Sequence, residues 1–278
     1  SNDGSVAKGY ITGSTISVID PDTDLVIAST QTDEYGKYSL SYQTYANFVI
    51  IEASGGIDIT TNTPFTGIFK SIKTINLDKG ERDLVSSEET NLNALTTLSA
   101  SVAQKAISSG ETGTLDDIIS SAKTTVATSL GIQADNIDKD YLKAKDPTSL
   151  SAAAQVTSVL NVVSSTAGGS NSSNDALDSF AELLTESSGS VDLTSTTAMT
   201  SIIEKAAEKA GTLSDISNNI SNVASITTNV ITSIQAIDTT SDDVSTFSAL
   251  EATAHASKIV EETILTSGAQ VAINFTDT

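Results

Sequence analysis

The sequence predicts an α+β protein: an N-terminal antiparallel β-sandwich, an all-α helical bundle, and a short C-terminal strand. Two changes of period carry this prediction. Up to about residue 85 apolar residues alternate with polar ones between frequent turns, and from Ser86 they recur at three and four residues. After Gly268 the two-residue period returns. The shift near residue 86 divides the chain into a sandwich over 1–85 and a helical domain over 86–278. Trp is absent and aromatics are only 4%, so the core must be built from Ala, Val, Ile and Leu, which suits closely packed helices.

The strands follow in order. Residues 6–19 read as one strand, because Tyr10, Thr12, Ser14, Ile16 and Val18 fall at every second position. Asp20-Pro21-Asp22-Thr23-Asp24 reads as a turn, since Pro fixes φ and Asp side chains bond nearby amides. Residues 25–30 resume a strand. Thr32 to Tyr38 is a tight connection in which Gly36 can take positive φ. Residues 38–42 and 48–53 are further strands, Gly55-Gly56 breaks the run, and residues 65–77 supply the last strand or two. Six or seven short strands with turns this frequent predict a sandwich.

Ser86 and Glu89 have the spacing of a capping box, and the first helix carries Leu92, Leu95, Leu98 and Val102 on one face. Thr114 with Asp117 opens a second helix bearing Ile118, Ala122, Val126 and Leu130 and ending near Gly131. Asp146-Pro147 places a cap before a proline at the first helical position of a third, with Val156, Val159, Leu160 and Val163. Residues 166–174, rich in Gly, Ser and Asn, read as an exposed loop. Leu177, Phe180, Leu183 and Leu184 mark the next helix, and Met199, Ile202, Ile203 and Ala206 another. One long helix is predicted over 214–237, with a seam of Ile216, Ile220, Val223, Ile226, Val230, Ile234 and Ile237. A final helix runs from Thr240–Asp243 to Ser267, and Val271, Ile273 and Phe275 alternate in a terminal strand.

The formal charge of −21, with Arg82 the only arginine, argues against nucleic acid and anionic membrane surfaces as partners. No apolar run approaches the ~20 residues of a membrane span. The absence of cysteine excludes disulfides and thiol chemistry. His255 is the only histidine and reads as an ordinary helix residue; Gly-x-Ser-x-Gly and phosphate-cradling loops are absent. Paired carboxylates are plentiful, but a glycosidase site needs them fixed, usually beside aromatic platforms that this Trp-free chain does not offer. The expectation is a protein that is not an enzyme.

The candidate metal residues are Asp20, Asp22 and Asp24. Their alternation in a loop resembles the start of a Ca2+ site, where hard oxygen ligands converge, and reads equally as a solvated turn. Asp138-Lys139-Asp140 repeats the alternation in shorter form. Gram-positive sandwich domains can cross-link a Lys to an Asn or Asp beside a buried acid; Lys8 and Glu52 are candidates for the Lys and the acid, and also read as surface residues at strand ends.

Thr32-Asp33-Glu34-Tyr35-Gly36-Lys37-Tyr38 resembles the T-D-x-x-G-x-[FY] signature of carboxypeptidase-regulatory-like and collagen-adhesin B-type sandwiches. Gly9-Tyr10-Ile11-Thr12-Gly13-Ser14-Thr15-Ile16 looks like the first strand of the same domains. Gly55-Gly56-Ile57-Asp58-Ile59-Thr60, Pro64-Phe65-Thr66-Gly67 and Leu95-Thr96-Thr97-Leu98 are similar to an arrangement in large bacterial surface adhesins of the RTX and VCBS type, where the sandwich leads into helices. The relatives often carry a D-x-N-x-N/D-G calcium loop after the first strand; here Asp20 to Asp24 occupies that place without the glycine. The resemblance covers about the first 100 residues. It implies an extracellular or cell-surface location and a structural or adhesive role as spacer, stalk or assembly unit. Partners would be neighbouring domains or subunits, met through Val271, Ile273 and Phe275. The alternative is a glycan- or protein-binding module using sandwich loops near Asp22 or Asn62.

Overall fold

The chain is mixed α+β. The computed structural model describes residues 2–75, 90–188 and 190–240, with Leu250, Thr253 and Ala254. Among these, nine strands in antiparallel sheets precede seven α-helices. No helix among the described residues is long and apolar enough to cross a membrane.

The alternation over residues 6–19 belongs to more than one strand. β1 (Asn2–Ser5), β2 (Ile11–Thr12) and β3 (Thr15–Ile19) replace the single strand expected there. The chain folds back on itself between the first two, where Ile11 N–H donates to Val6 O at 3.0 Å. Gly13, at φ +66°, separates β2 from β3. β4 (Val26–Gln31), β5 (Lys37–Leu40), β6 (Phe48–Ser54), β7 (Ile57–Asp58), β8 (Thr63–Pro64) and β9 (Ile68–Thr74) complete the set. They form a four-stranded sheet ordered β4-β3-β6-β9, a three-stranded sheet β2-β7-β8, and the pair β1-β5. Alternation does its work inside the large sheet: Ile16, Val18, Val49, Ile51 and Ala53 are fully buried. The turn before β5 is built by Asp33, whose carboxylate accepts from Tyr35 and Lys37 N–H at 2.8 and 2.9 Å, with Gly36 at φ +75°.

The chain entering the helices docks first on β1. Thr90 N–H donates to Asp3 O at 2.8 Å, Leu92 N–H to Ser5 O at 2.9 Å, and Ala7 N–H to Leu92 O at 2.9 Å. This close approach needs a glycine in β1, because a Cβ on Gly4 would lie 2.0 Å from Thr90 O. α1 (Ala94–Ser108) is started by a capping box of Asn93 and Thr96; the Ser86–Glu89 box expected from sequence lies outside the described residues. α2 (Leu115–Leu130) opens with Thr114 Oγ1 accepting from Asp117 N–H at 3.1 Å, and a 3-10 turn follows at Ala134–Asn136. α3 (Pro147–Ala167) begins as its sequence indicates, with Asp146 accepting from Ser149 N–H at 3.1 Å and Pro147 in the first turn.

Two helical readings are corrected. Residues 166–174 are not one exposed loop: α3 continues through Ala167 and α4 (Ser172–Glu186) starts five residues later. Thr166 stays buried because its hydroxyl donates to Val162 O at 2.7 Å. The predicted helix over 214–237 is broken into α6 (Leu213–Ile216) and α7 (Ile220–Gln235) by Ser217-Asn218-Asn219, three residues of modest helix propensity. Its seam also shifts. Ile220, Val223, Val230 and Ile234 are buried as expected, but Ile226 is only half-buried and Thr227 takes the covered position, donating to Val223 O at 2.7 Å. Leu250 and Ala254 are buried and helical, while the rest of the final helix, His255 and the strand at Val271, Ile273 and Phe275 lie outside the described residues.

The chain separates into two compact units, Ser1–Thr124 with Ala134–Ala144, and Thr125–Gln133 with Lys145–Thr278. The first thus holds the sheets, α1, α2 as far as Thr124, and the strap Ala134–Ala144 that opens with the 3-10 turn. In the second, α3 packs on α4, α7 and α5 (Thr196–Ala210), and α5 also packs on α4 and α7. Met199, Ile202, Ile203 and Ala206 of α5 are fully buried.

The revised seam makes neighbouring isoleucines unequal. Ile231→Ala, at a fully buried position, should cost about 2–5 kcal/mol in denaturant unfolding. Ile226→Ala, half-buried on the same helix, should cost well under half as much; equal losses would mean that α7 is turned differently.

Candidate functional site

A buried polar cluster in the first unit centres on Asp140, in the strap Ala134–Ala144. Ile137, Asp140 and Tyr141 of this strap are buried, although the segment is irregular. Asp140 first organises its own turn, with Oδ1 accepting from Leu142 and Lys143 N–H at 3.1 Å each. Oδ2 lies 2.9 Å from Ser5 Oγ, 2.9 Å from Tyr10 Oη and 3.1 Å from Lys37 Nζ. Lys37 Nζ also sits 4.3 Å from the centre of the Tyr10 ring, within cation–π range.

Neighbouring groups extend the cluster. Asn91 Oδ1 accepts from Ser5 N–H at 3.2 Å, and Asn91 Nδ2 donates to Asp138 O at 3.0 Å. Tyr141 Oη donates to Ala7 O at 2.9 Å. Strand β1, the fold-back at 7–10, the start of β5, residues 90–92 and the strap therefore meet around one carboxylate.

Burial pushes the Asp140 carboxyl up, but the Lys143 amide, the Ser5 hydroxyl, the Lys37 ammonium and the Tyr10 hydroxyl together outweigh it and hold the group below its ordinary value of 3.8. An ionised carboxylate offers about four lone-pair sites. Five donor groups lie within reach of this one, the Ser5 hydroxyl being also 3.0 Å from Asn91 Oδ1, so most of its hydrogen-bonding capacity is turned inward.

A second ionic pair lies elsewhere in the unit. Lys8 Nζ is 3.7 Å from Asp58 Oδ2, while Asp58 Oδ1 accepts from Thr60 N–H at 2.9 Å. Asp58 is buried, and its Oδ2 makes no hydrogen bond among the described residues. Glu52 stands in β6 opposite Ser17 and Lys70. Burial pushes its carboxyl up, the Lys70 charge opposes that, and Asp24 adds to it. Lys8 is thus paired with Asp58, and Glu52 has a different set of neighbours.

Asp20, Asp22 and Asp24 fall in one turn. Asp20 Oδ1 accepts from Asp22 N–H at 2.8 Å, and Asp24 N–H donates to Asp20 O at 2.8 Å. Asp22 and Asp24 are exposed, and Asp24 takes φ +59°. Among the described residues no three His, Cys, Asp or Glu side chains gather as a metal-holding group. Asn62, at φ +52°, is exposed on another turn. Ser5 and Asn91 carried no signal in the sequence, Tyr10 and Lys37 stood only as strand and motif positions, and Asp140 showed only as half of an acidic alternation. No protein-family model, curated protein or solved structure matches the chain.

Asp140→Asn keeps the shape and removes the charge, and should destabilise the first unit by about 1.5–3 kcal/mol near neutral pH, the scale of hydrogen bonds to a charged group. The sign with pH follows from a carboxyl lowered on folding. Its contribution is complete above the ordinary value of 3.8 and is lost as pH falls through the lower folded value. Denaturant curves for the two proteins should therefore differ most above pH ~5 and converge in stronger acid. A difference that grows on acidification would contradict this assignment.

Proposed function

We propose that the chain is a structural or adhesive module, a spacer, stalk or assembly unit of a secreted or cell-surface bacterial protein, and not an enzyme. In this reading the strands form a sandwich of the carboxypeptidase-regulatory-like or collagen-adhesin B type, and the later helices form a bundle. The observation that carries it is the use made of Asp140. The buried polar cluster around it joins five chain segments to one another and turns its hydrogen-bonding capacity inward. That is the arrangement expected of a unit that must keep its shape. A surface with a net charge of −21 further suits an exposed, soluble position.

Ca2+ at Asp20, Asp22 and Asp24 belongs to the same proposal. Melts with calcium and with chelator decide it: an upward shift of the first unit's transition supports a bound ion, and superimposed curves overturn it. Location is tested by antibody labelling of intact source cells. Labelling without permeabilisation is the expected result, and labelling only after lysis would overturn the surface reading.

The exposure of Asp22 and Asn62 on separate turns favours one second reading, a module that binds glycan or protein through sandwich loops. Saturable binding on a glycan array, lost in Asp22→Ala or Asn62→Ala with unchanged melting, would put that reading first.

A further inference from the structure

We infer that a cleft on the outer face of the β1–β5 pair binds a neutral sugar, one pyranose unit of a glycan. The inference goes beyond both readings above: the site is neither the Asp22 turn nor the Asn62 turn, and it does not depend on the structural role.

The register of the pair sets the face. Asp3 stands opposite Ser39 and Ser5 opposite Lys37, so these four side chains lie on one side. Gly4, Tyr38 and Leu40 occupy the alternate positions and are buried. Gln31 at the end of β4, Asp33 in the following turn and Lys143 in the strap complete a cleft of about 680 Å³. Small-molecule sites run from roughly 300 to 1,000 Å³, so a sugar ring fits with room for a neighbour. All of these residues belong to the first unit.

The chemistry of the walls selects the ligand. Sites for apolar small molecules are lined mainly by aliphatic and aromatic side chains, and no aliphatic residue lines this one. The walls offer two carboxylates, a carboxamide, two serine hydroxyls and two ammoniums. A sugar hydroxyl donates and accepts at once, and so uses the acceptors of Asp3 and Asp33 together with the donors of Lys37 and Lys143. An anion would meet both carboxylates in a chain of net charge −21, and a cation would meet both ammoniums. A neutral polyol suffers neither penalty. Tyr35, 65% exposed on the turn between Asp33 and Lys37, supplies an apolar ring face for the C–H side of a pyranose.

The cleft is organised without a ligand. Asp33 holds its turn through Tyr35 and Lys37 N–H at 2.8 and 2.9 Å. Asp140 anchors three of the lining residues: it accepts from Ser5 Oγ at 2.9 Å, from Lys37 Nζ at 3.1 Å and from Lys143 N–H at 3.1 Å. One N–H of Lys37 is thus spent on Asp140, but an ammonium carries three, and the side chain is 42% exposed. Groups already held in place lose less freedom on binding. The buried carboxylate positions the walls, and the ligand meets the side chains that it positions.

The test applies the full chain to a glycan array carrying neutral hexose oligosaccharides beside sulfated and uronic-acid ones. Saturable binding to neutral members is expected. Gln31→Ala and Lys143→Ala, both at exposed positions, should each weaken it about tenfold, the loss of one well-placed hydrogen bond, with melting unchanged. Tyr35→Ala should weaken it comparably. Ser39→Trp fills the space instead of removing a contact, and should abolish binding. Asp22→Ala and Asn62→Ala should leave it unaltered. Loss confined to those last two variants places the sugar on the sandwich loops and overturns the cleft. Binding that survives Ser39→Trp and the three alanine variants of the cleft, in proteins that melt normally, also overturns it. A preference for the sulfated or uronic-acid set overturns the neutral ligand. No binding to any member overturns the site, while cell labelling still judges the structural reading on its own.

Discussion

The architecture of the first unit depends on one desolvated carboxylate. Taking Asp140 out of water is costly unless hydrogen bonds replace the lost hydration, and here the replacements come from residues up to 135 positions away in sequence. Each donor is itself fixed: Ser5 by its place in β1, Lys37 by the Asp33 turn, Tyr10 by the fold-back at residues 7–10. The cluster therefore forms only when the strands, the docked residues 90–92 and the strap are all in place. Its free energy is modest beside that of the apolar core, but it discriminates among registers, because a one-residue slip of β1 or of the strap would strand a buried charge.

Backbone satisfaction is the second constraint, and it explains why the helices begin where they do. Asp3 O and Ser5 O accept from Thr90 and Leu92, and Lys70 uses both its N–H and its C=O on threonine hydroxyls of α1. Thr96 has two tasks at once, since its hydroxyl also accepts from Asn93 N–H in the capping box. A helix start and a sheet edge are thus closed by the same few residues. Without that cover the edge of β9 would present unpaired groups to solvent or to another chain.

Much of this organisation was legible, and the rest was not, for identifiable reasons. Local chemistry read correctly: Asp146-Pro147 before α3, Thr114 with Asp117 before α2, Gly36 in its turn and the Gly55-Gly56 break are all decided within a few residues. The alternation over residues 6–19 misled because period two persists through a fold-back and a glycine turn, neither of which changes which positions are apolar. The Asp140 cluster was invisible because nothing in the spacing of Ser5, Tyr10, Lys37, Asn91 and Asp140 announces that they meet. Its nearest trace was an acidic pair weighed for calcium, a hint of charge without any hint of burial.

Two of the misreadings in the helices, at Thr166 and at Ile226, share one physical cause, and it bears on how so hydroxyl-rich a chain folds at all. Ser158, Thr166, Ser179 and Thr227 are buried inside helices, where a free hydroxyl would be penalised. Each donates instead to the carbonyl four residues earlier, at 2.7–2.8 Å. That bond hides the hydroxyl within its own helix, so the residue packs as a small apolar side chain would. A hydrophobicity pattern counts these positions as polar and turns the helix to face Ile226 inward, or ends it at Thr166. The structure places Thr227 inward because its methyl and its satisfied hydroxyl are small enough for close approach of α7 to its neighbours. With no tryptophan and few other aromatics to fill larger gaps, close approach is the route to a dense interior that this composition leaves open.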